Sequence, residues 1–170
     1  MRHFFKKIKS PVGELTLVAN DQYLIAVLWE IDKIESKESR VRLPAMELGK
    51  NHPILRQTET QLKEYFSGQR RNFELPLQFF SGTEFQTSVW RALQKIPFGK
   101  TRNYGQLAKT IARPLACRAV GAANGKNPIS IIVPCHRVIG ADGSLTGFAG
   151  GMKAKEFLIE FEKNRLALAS

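Results

Sequence analysis

The spacing of apolar and polar positions changes several times along the chain. "GELTLVAN" (13–20) and "YLIAVLWE" (23–30) are apolar runs around the turn residues of "NDQ", a pattern that predicts a β-hairpin. "IDKIESKESRVR" (31–42) is too densely charged to be core. From Pro53 the period lengthens: in "PILRQTETQLKEYFSG", Leu55, Glu59, Leu62 and Phe66 share one helical stripe, with proline at the start and Gly68 past the end. "NFELPLQF" (72–79) predicts one more strand.

The pattern shifts near "FFSGTEF" (79–85), which places a first domain at 1–80 and a second at 83–170. Thr83 and Gln86 have the spacing of a capping box, and Phe85, Val89, Leu93 and Ile96 continue at helical spacing until Pro97 and Gly99. Asn103 can cap "YGQLAKTIA" (104–112), with Leu107, Ala108 and Ile111 facing inward. After the break "RPL" comes "ACRAVGAAN" (116–124), closed by Gly125. Two short helices around a tight turn, the second rich in alanine, predict a helix-turn-helix. "ISIIV" (129–133) reads as a strand buried on both faces, which Pro134 must end. "IGADGSLTGFAGG" (139–151) predicts a loop, and "MKAKEFLIEFEKNR" (152–165) a last helix with Ala154, Leu158, Phe161 and Glu162 on one stripe.

Charge adds the first functional hint. Lys plus Arg number 26 against 15 Asp plus Glu, a net +11, and residues 81–170 hold 13 of those bases but only 5 of the acids. Between Phe85 and Gly140 there is no acidic residue at all. A basic surface without counter-charges suits an anionic partner, nucleic acid first, although a solvated basic face has the same composition. No apolar run approaches the roughly 20 residues of a membrane span, and "MRHFFKKIKSP" is not a signal peptide, so an intracellular, cytoplasmic place is expected. With 43% hydrophobic residues over 170 positions the chain can bury a substantial core.

Candidate chemistry centres on "SIIVPCHRVIG" (130–140). Inside the cell the two cysteines, Cys117 and Cys135, are expected to be reduced. Cys117 reads as a buried small residue of its alanine-rich helix. Cys135 stands next to His136 just past a rigid element, and a nearby imidazole in basic surroundings favours the nucleophilic thiolate. Glu162 could orient that histidine, or it could pair with Arg165; the sequence leaves both open. Arg118 sits early in the second helix of the helix-turn-helix, where it either contacts DNA or solubilises the surface. The three histidines are scattered and offer no metal site.

"PCHRV" (134–138), "RAVGAANGKNP" (118–128) and "GFAGG" (147–151) together resemble the O6-alkylguanine-DNA alkyltransferases, also called methylated-DNA-protein-cysteine methyltransferases. The resemblance runs in register from Phe85 to Glu162. It implies an α+β protein: a small ribonuclease-H-like α/β scaffold domain, then a mostly helical domain with a winged helix-turn-helix. It implies Cys135 as acceptor of the alkyl group, His136 acting through a water to remove its proton, and Glu162 holding that histidine. Asn127 would brace the turn, and Tyr104 would steer the phosphate and donate to the guanine ring. Arg118 would fill the gap left by the flipped nucleotide, with Tyr104, Ala119, Ala122, Ala123 and Asn124 completing the DNA contacts. The carbonyls of Cys135 and Val138 and the amide of Ala149 would read the base, walled by Phe148. Relatives often carry tyrosine at the position of Phe148 and a hydroxyl at that of Ala149.

The implied partner is double-stranded DNA carrying an alkylated base, met by a monomer, with cooperative assembly on DNA left open. Neither a cofactor nor a metal is expected. An alkyl carbon inside a duplex cannot be reached, so the nucleotide must leave the stack at a cost of about a few kcal/mol. Repair at any sequence also favours backbone and shape contacts over base reading. Two other readings remain: a DNA-binding sensor or regulator in which Cys135 is idle, and a Cys/His hydrolase.

Overall fold

A computed structural model describes residues 1–32 and 39–168 and separates two compact units, Met1–Ser81 and Gly82–Ser170. Part of the charged stretch 31–42 lies outside the described residues.

The first unit is a four-stranded sheet with a helix. Its strands are β1 (His3–Ser10), β2 (Gly13–Asn20), β3 (Leu24–Trp29) and β4 (Glu47–Leu48), in the order β3-β2-β1-β4. β1 and β2 are antiparallel with His3 opposite Asn20 and Ser10 opposite Gly13, which takes the positive φ of 101° that the tight turn needs. β2 and β3 form the expected hairpin, while β4 runs parallel to β1. β1 was not anticipated: Lys6, Lys7 and Lys9 break the apolar pattern of "HFFKKIKS", and Ile8 alone of its residues near the turn is buried among apolar neighbours.

Helix α1 (Pro53–Phe66) starts at proline and ends before Ser67, but its buried residues are Ile54, Leu55, Thr58, Gln61, Leu62 and Tyr65. The expected stripe through Glu59 and Phe66 is therefore rotated; Glu59 instead pairs with Lys6 and Lys63 at its margin. "NFELPLQF" is not a strand. Leu77 makes one isolated parallel bridge to Leu24, with Leu24 N donating to Pro76 O at 2.7 Å. Pro76 lacks the amide that a longer ladder requires. The charged stretch also contributes to the interior: Val41 joins the cluster of Val18, Ile25, Ala26 and Leu28, and Arg40 forks onto Asp32 at 2.7 and 2.8 Å.

The second unit packs helices α2 (Glu84–Leu93), α3 (Tyr104–Thr110), α4 (Cys117–Gly125) and α5 (Met152–Leu168) around a short parallel pair, β5 (Arg102–Asn103) and β6 (Val138–Ile139). Both capping boxes form: the Thr83 hydroxyl and Gln86, and the Asn103 carbonyl and Gln106, satisfy the amides that each helix start leaves unpaired. Trp90 of α2 donates its indole N–H to Ala123 O of α4 at 2.8 Å, which fixes α4 from behind. No described helix is long and apolar enough to cross a membrane.

"ISIIV" is buried as expected, but it is not a strand. Val133 N donates to Ile129 O at 2.9 Å and Cys135 N to Val133 O at 2.8 Å, so the chain winds in consecutive turns. Ile131 has φ 70°, a left-handed conformation that costs a β-branched residue about 1–3 kcal/mol. Asn127 holds the coil at both ends, its Nδ2 donating to Val133 O at 2.8 Å and its Oδ1 accepting from Ile129 N at 3.0 Å. Apolar burial is compatible with a strand or a coil, and the Asn127 bonds to Ile129 and Val133 belong to the coil.

Candidate active site

The coil delivers the chain into a 3-10 turn, Cys135–Arg137, whose three side chains are all buried. Opposite strand faces do not separate Cys135 and His136 here, because a 3-10 turn advances by about a third of a revolution per residue. Glu162 projects from α5 onto the same turn. His136 Nε2 donates to Glu162 Oε1 at 2.7 Å. Arg137 forks onto the same carboxylate, Nε to Oε2 and Nη2 to Oε1, each at 2.9 Å, and donates from Nη1 to Ile96 O at 2.6 Å. Gly99 N gives a fourth bond to Glu162 Oε2 at 3.2 Å. Phe98 lies under the guanidinium, 5.8 Å from its ring centroid.

This network assigns the protons. Burial tends to raise the Glu162 pKa, but His136 and then Arg137, through charge and hydrogen bonds, hold the carboxyl well below the usual carboxylate range. Burial pushes His136 below its ordinary value; Glu162 opposes this, and Arg137 and Lys155 add to it. The histidine is accordingly neutral beside an ionised Glu162. An ionised carboxylate only accepts, so Nε2 carries the imidazole proton and Nδ1 is left as a lone pair. Nδ1 is buried without a hydrogen-bond partner. A neutral imidazole with an unengaged lone pair is able to accept a proton.

Lys155 completes the surroundings. It is buried on α5, its Nζ donating to Val138 O at 2.5 Å, and burial lowers its pKa while the charge of Cys135 raises it. By reciprocity the ammonium favours a thiolate at Cys135. Asn124 Nδ2 donates to Cys135 O at 3.4 Å, and its Oδ1 is buried without a partner. Tyr104 opens α3, with its hydroxyl in hydrogen-bond contact with the Thr146 hydroxyl of the glycine-rich loop.

Two family models match the chain, the "6-O-methylguanine DNA methyltransferase, ribonuclease-like domain" over residues 4–79 and the "DNA binding domain" of the same methyltransferase over 84–164. The chain belongs to the 6-O-methylguanine DNA methyltransferase family. Among curated relatives, the methylated-DNA-protein-cysteine methyltransferase of Methanosarcina barkeri is 45% identical over 163 residues, covering 96% of this chain and 99% of that one. That of Shigella flexneri is 42% identical over 172 residues, at 95% and 96% coverage. The Mycobacterium tuberculosis OGT solved in complex with DNA superposes with a TM-score of 0.82 at 42% identity, covering 98% of this chain and 99% of that one. The superposition shows the same mixed α+β architecture in that structural relative.

Within this family member, the residues expected at the site separate into groups. His136 and Glu162 come together on the 3-10 turn that Cys135 begins, and Glu162 pairs with His136 and Arg137, not Arg165, which instead lies over the Phe161 ring. Asn127 acts on the coil before the cysteine. Val138 is buried at the start of β6, and Phe148 and Ala149 are half-buried in the loop. On α4, Arg118, Ala119 and Ala122 are exposed on one side. Ala123 and Asn124 are not available to DNA: both are buried, Ala123 behind Trp90 and Asn124 against the Cys135 carbonyl. The helical period carries these two positions to the inner face. Cys117 is exposed at the first turn of α4, not buried, because the helix presents that position outward.

Sequence reasoning missed Arg137, Lys155 and Thr146. Lys155 had a readable signal, since it lies three residues before Leu158 and seven before Glu162, on the inner stripe of α5. A lysine on such a stripe needs a buried acceptor.

Proposed function

We propose that the chain repairs DNA by moving an alkyl group from O6 of guanine to Cys135 in a single, irreversible turnover. The reading is supported most by the His136–Glu162 pair beside Cys135: it leaves a neutral imidazole lone pair for the thiol proton, and Lys155 favours the resulting thiolate. Cys135 Sγ attacks the alkyl carbon in line; the S–C bond forms as the C–O6 bond breaks, and O6 keeps the electron pair. His136, through a water, takes the thiol proton, and the expelled guanine regains one. Thiol and alkylguanine thus become thioether and guanine, with no cofactor in the balance. A thioether offers no easy leaving group, so the protein is consumed.

Arg118, Ala119 and Ala122 form the minor-groove face, where small residues allow close approach and Arg118 occupies the space of the extruded nucleotide. The carbonyls of Cys135 and Val138 and the amide of Ala149 read the base, and Phe148 walls it. O4-alkylthymine presents a similar alkoxy carbon and is the second substrate. Residues 1–80 serve as scaffold, and the protein acts as an intracellular monomer. The test is transfer of labelled methyl from an O6-methylguanine duplex: Cys135→Ala is expected to abolish transfer while retaining DNA binding. Methyl removal by that variant excludes the reading.

A further inference from the structure

We propose that Thr146 is a positioning residue whose hydroxyl fixes the Tyr104 hydroxyl for capture of the flipped base; this rests on the alkyl-transfer reading above. Tyr104 is held on two sides. Its ring lies across α4 at Gly121, where an added Cβ would sit 3.6 Å from both Cδ1 and Cε1, so the aromatic plane has a backbone floor. Its hydroxyl meets Thr146 Oγ1 in a hydrogen bond.

Thr146 is itself anchored from a third element. Its carbonyl accepts from Lys155 Nζ at 3.4 Å, and the same ammonium holds Val138 O at 2.5 Å. Lys155 is fully buried on α5, so one rigid cation ties the loop beside Tyr104 to the strand that follows the Cys135 turn. The surrounding loop makes local bonds, Gly140 N to Ser144 O at 2.8 Å and Gly151 N to Phe148 O at 2.9 Å. Thr146 reaches beyond the loop to α3 and α5, and so couples Tyr104, Val138 and Lys155 into one frame.

The chemistry follows from the hydroxyl inventory. A phenol has one proton and two acceptor positions. When Thr146 donates to the Tyr104 oxygen, the tyrosine proton is left free to donate to the base, and the polarised phenol becomes a better donor. Without Thr146 the phenol proton has no fixed direction. The bond therefore acts on base capture and transfer, not on general DNA affinity.

The experiment compares wild type, Thr146→Val, Thr146→Ser, Tyr104→Phe and Thr146→Val/Tyr104→Phe, by single-turnover transfer from an O6-methylguanine duplex and by affinity for the same duplex. Thr146→Val is expected to slow transfer about three- to tenfold, the range for one lost hydrogen bond, with affinity within about twofold. Thr146→Ser is expected to retain the wild-type rate. In the Tyr104→Phe background, Thr146→Val is expected to change the rate by less than about twofold, because its target is already gone. Thr146→Val at or above the wild-type rate overturns the proposal, as does equal slowing with and without the Tyr104 hydroxyl. Wild-type protein that transfers nothing instead overturns the repair reading, and this proposal with it.

Discussion

Glu162→Gln keeps the shape of the side chain and removes its charge, which makes it the sharpest probe of the buried network. Four donors converge on this carboxylate: His136 Nε2, Arg137 Nε and Nη2, and Gly99 N. A glutamine offers one accepting oxygen and turns an NH2 group toward donors. Arg137 then remains buried without a charged partner, keeping Ile96 O, the Phe98 ring and at most the one glutamine oxygen. Truncating one member of a buried pair costs about 3–5 kcal/mol, most of it from the charge left behind. The retained bonds of Arg137 place the expected loss near the low end, about 3 kcal/mol. If the stranded charge causes the loss, removing it must help: Arg137→Met/Glu162→Gln is expected to be more stable than Glu162→Gln alone by at least about 1 kcal/mol. Native-state hydrogen exchange of α2 and α5 amides reads this in the second unit alone, without assuming that both units unfold together. A double variant no more stable than Glu162→Gln refutes the reasoning.

Other outcomes follow from the same geometry. His136 has a folded pKa below its ordinary 6.5, so the unfolded chain binds the proton first; its contribution to stability is complete above about pH 6.5 and is lost as pH falls below that. Stability of the second unit measured from pH 8 to 5 should decline over that window, and His136→Gln should flatten the decline. Gly99→Ala is expected to cost about 1–3 kcal/mol, because the residue has φ 75° and an added Cβ would lie 2.8 Å from Leu166 Cδ2; thermal unfolding of the variant checks it. Arg118→Ala should weaken base extrusion while leaving the Cys135 thiol reactive, read by fluorescence of a base analogue at the lesion site and by thiol labelling.

Much of the second unit could be read from its sequence because local rules dominate there. The capping boxes at Thr83 and Asn103, the turn between α3 and α4, and the adjacency of Cys135 and His136 need no long-range information. What escaped depended on partners far along the chain. The coil at 129–133 is the local exception: the Asn127 side chain bonds both of its ends, and apolar composition cannot report that. The Glu162 pairing was ambiguous until α5 was placed against the 3-10 turn, 25 residues from Arg137 along the chain. Ala123 and Asn124, expected among the DNA contacts with Ala119 and Ala122, lie instead on the inner face, because a helix that packs on Trp90 must turn some of its residues inward. In the first unit, apolar runs around a turn were enough to read β2 and β3, whereas lysines on β1 masked a strand that the sheet itself stabilises.

The central claim is that Cys135 is a reagent consumed once. Intact-protein mass spectrometry after mixing the protein with a duplex carrying one O6-methylguanine, followed by peptide mapping, tests it most directly. The account predicts one added methyl group, located on Cys135, with the yield saturating at one per protein however much substrate is supplied. Methylation of Cys117 in place of Cys135, repeated turnover by an unmodified protein, or tight DNA binding with no mass change contradicts it.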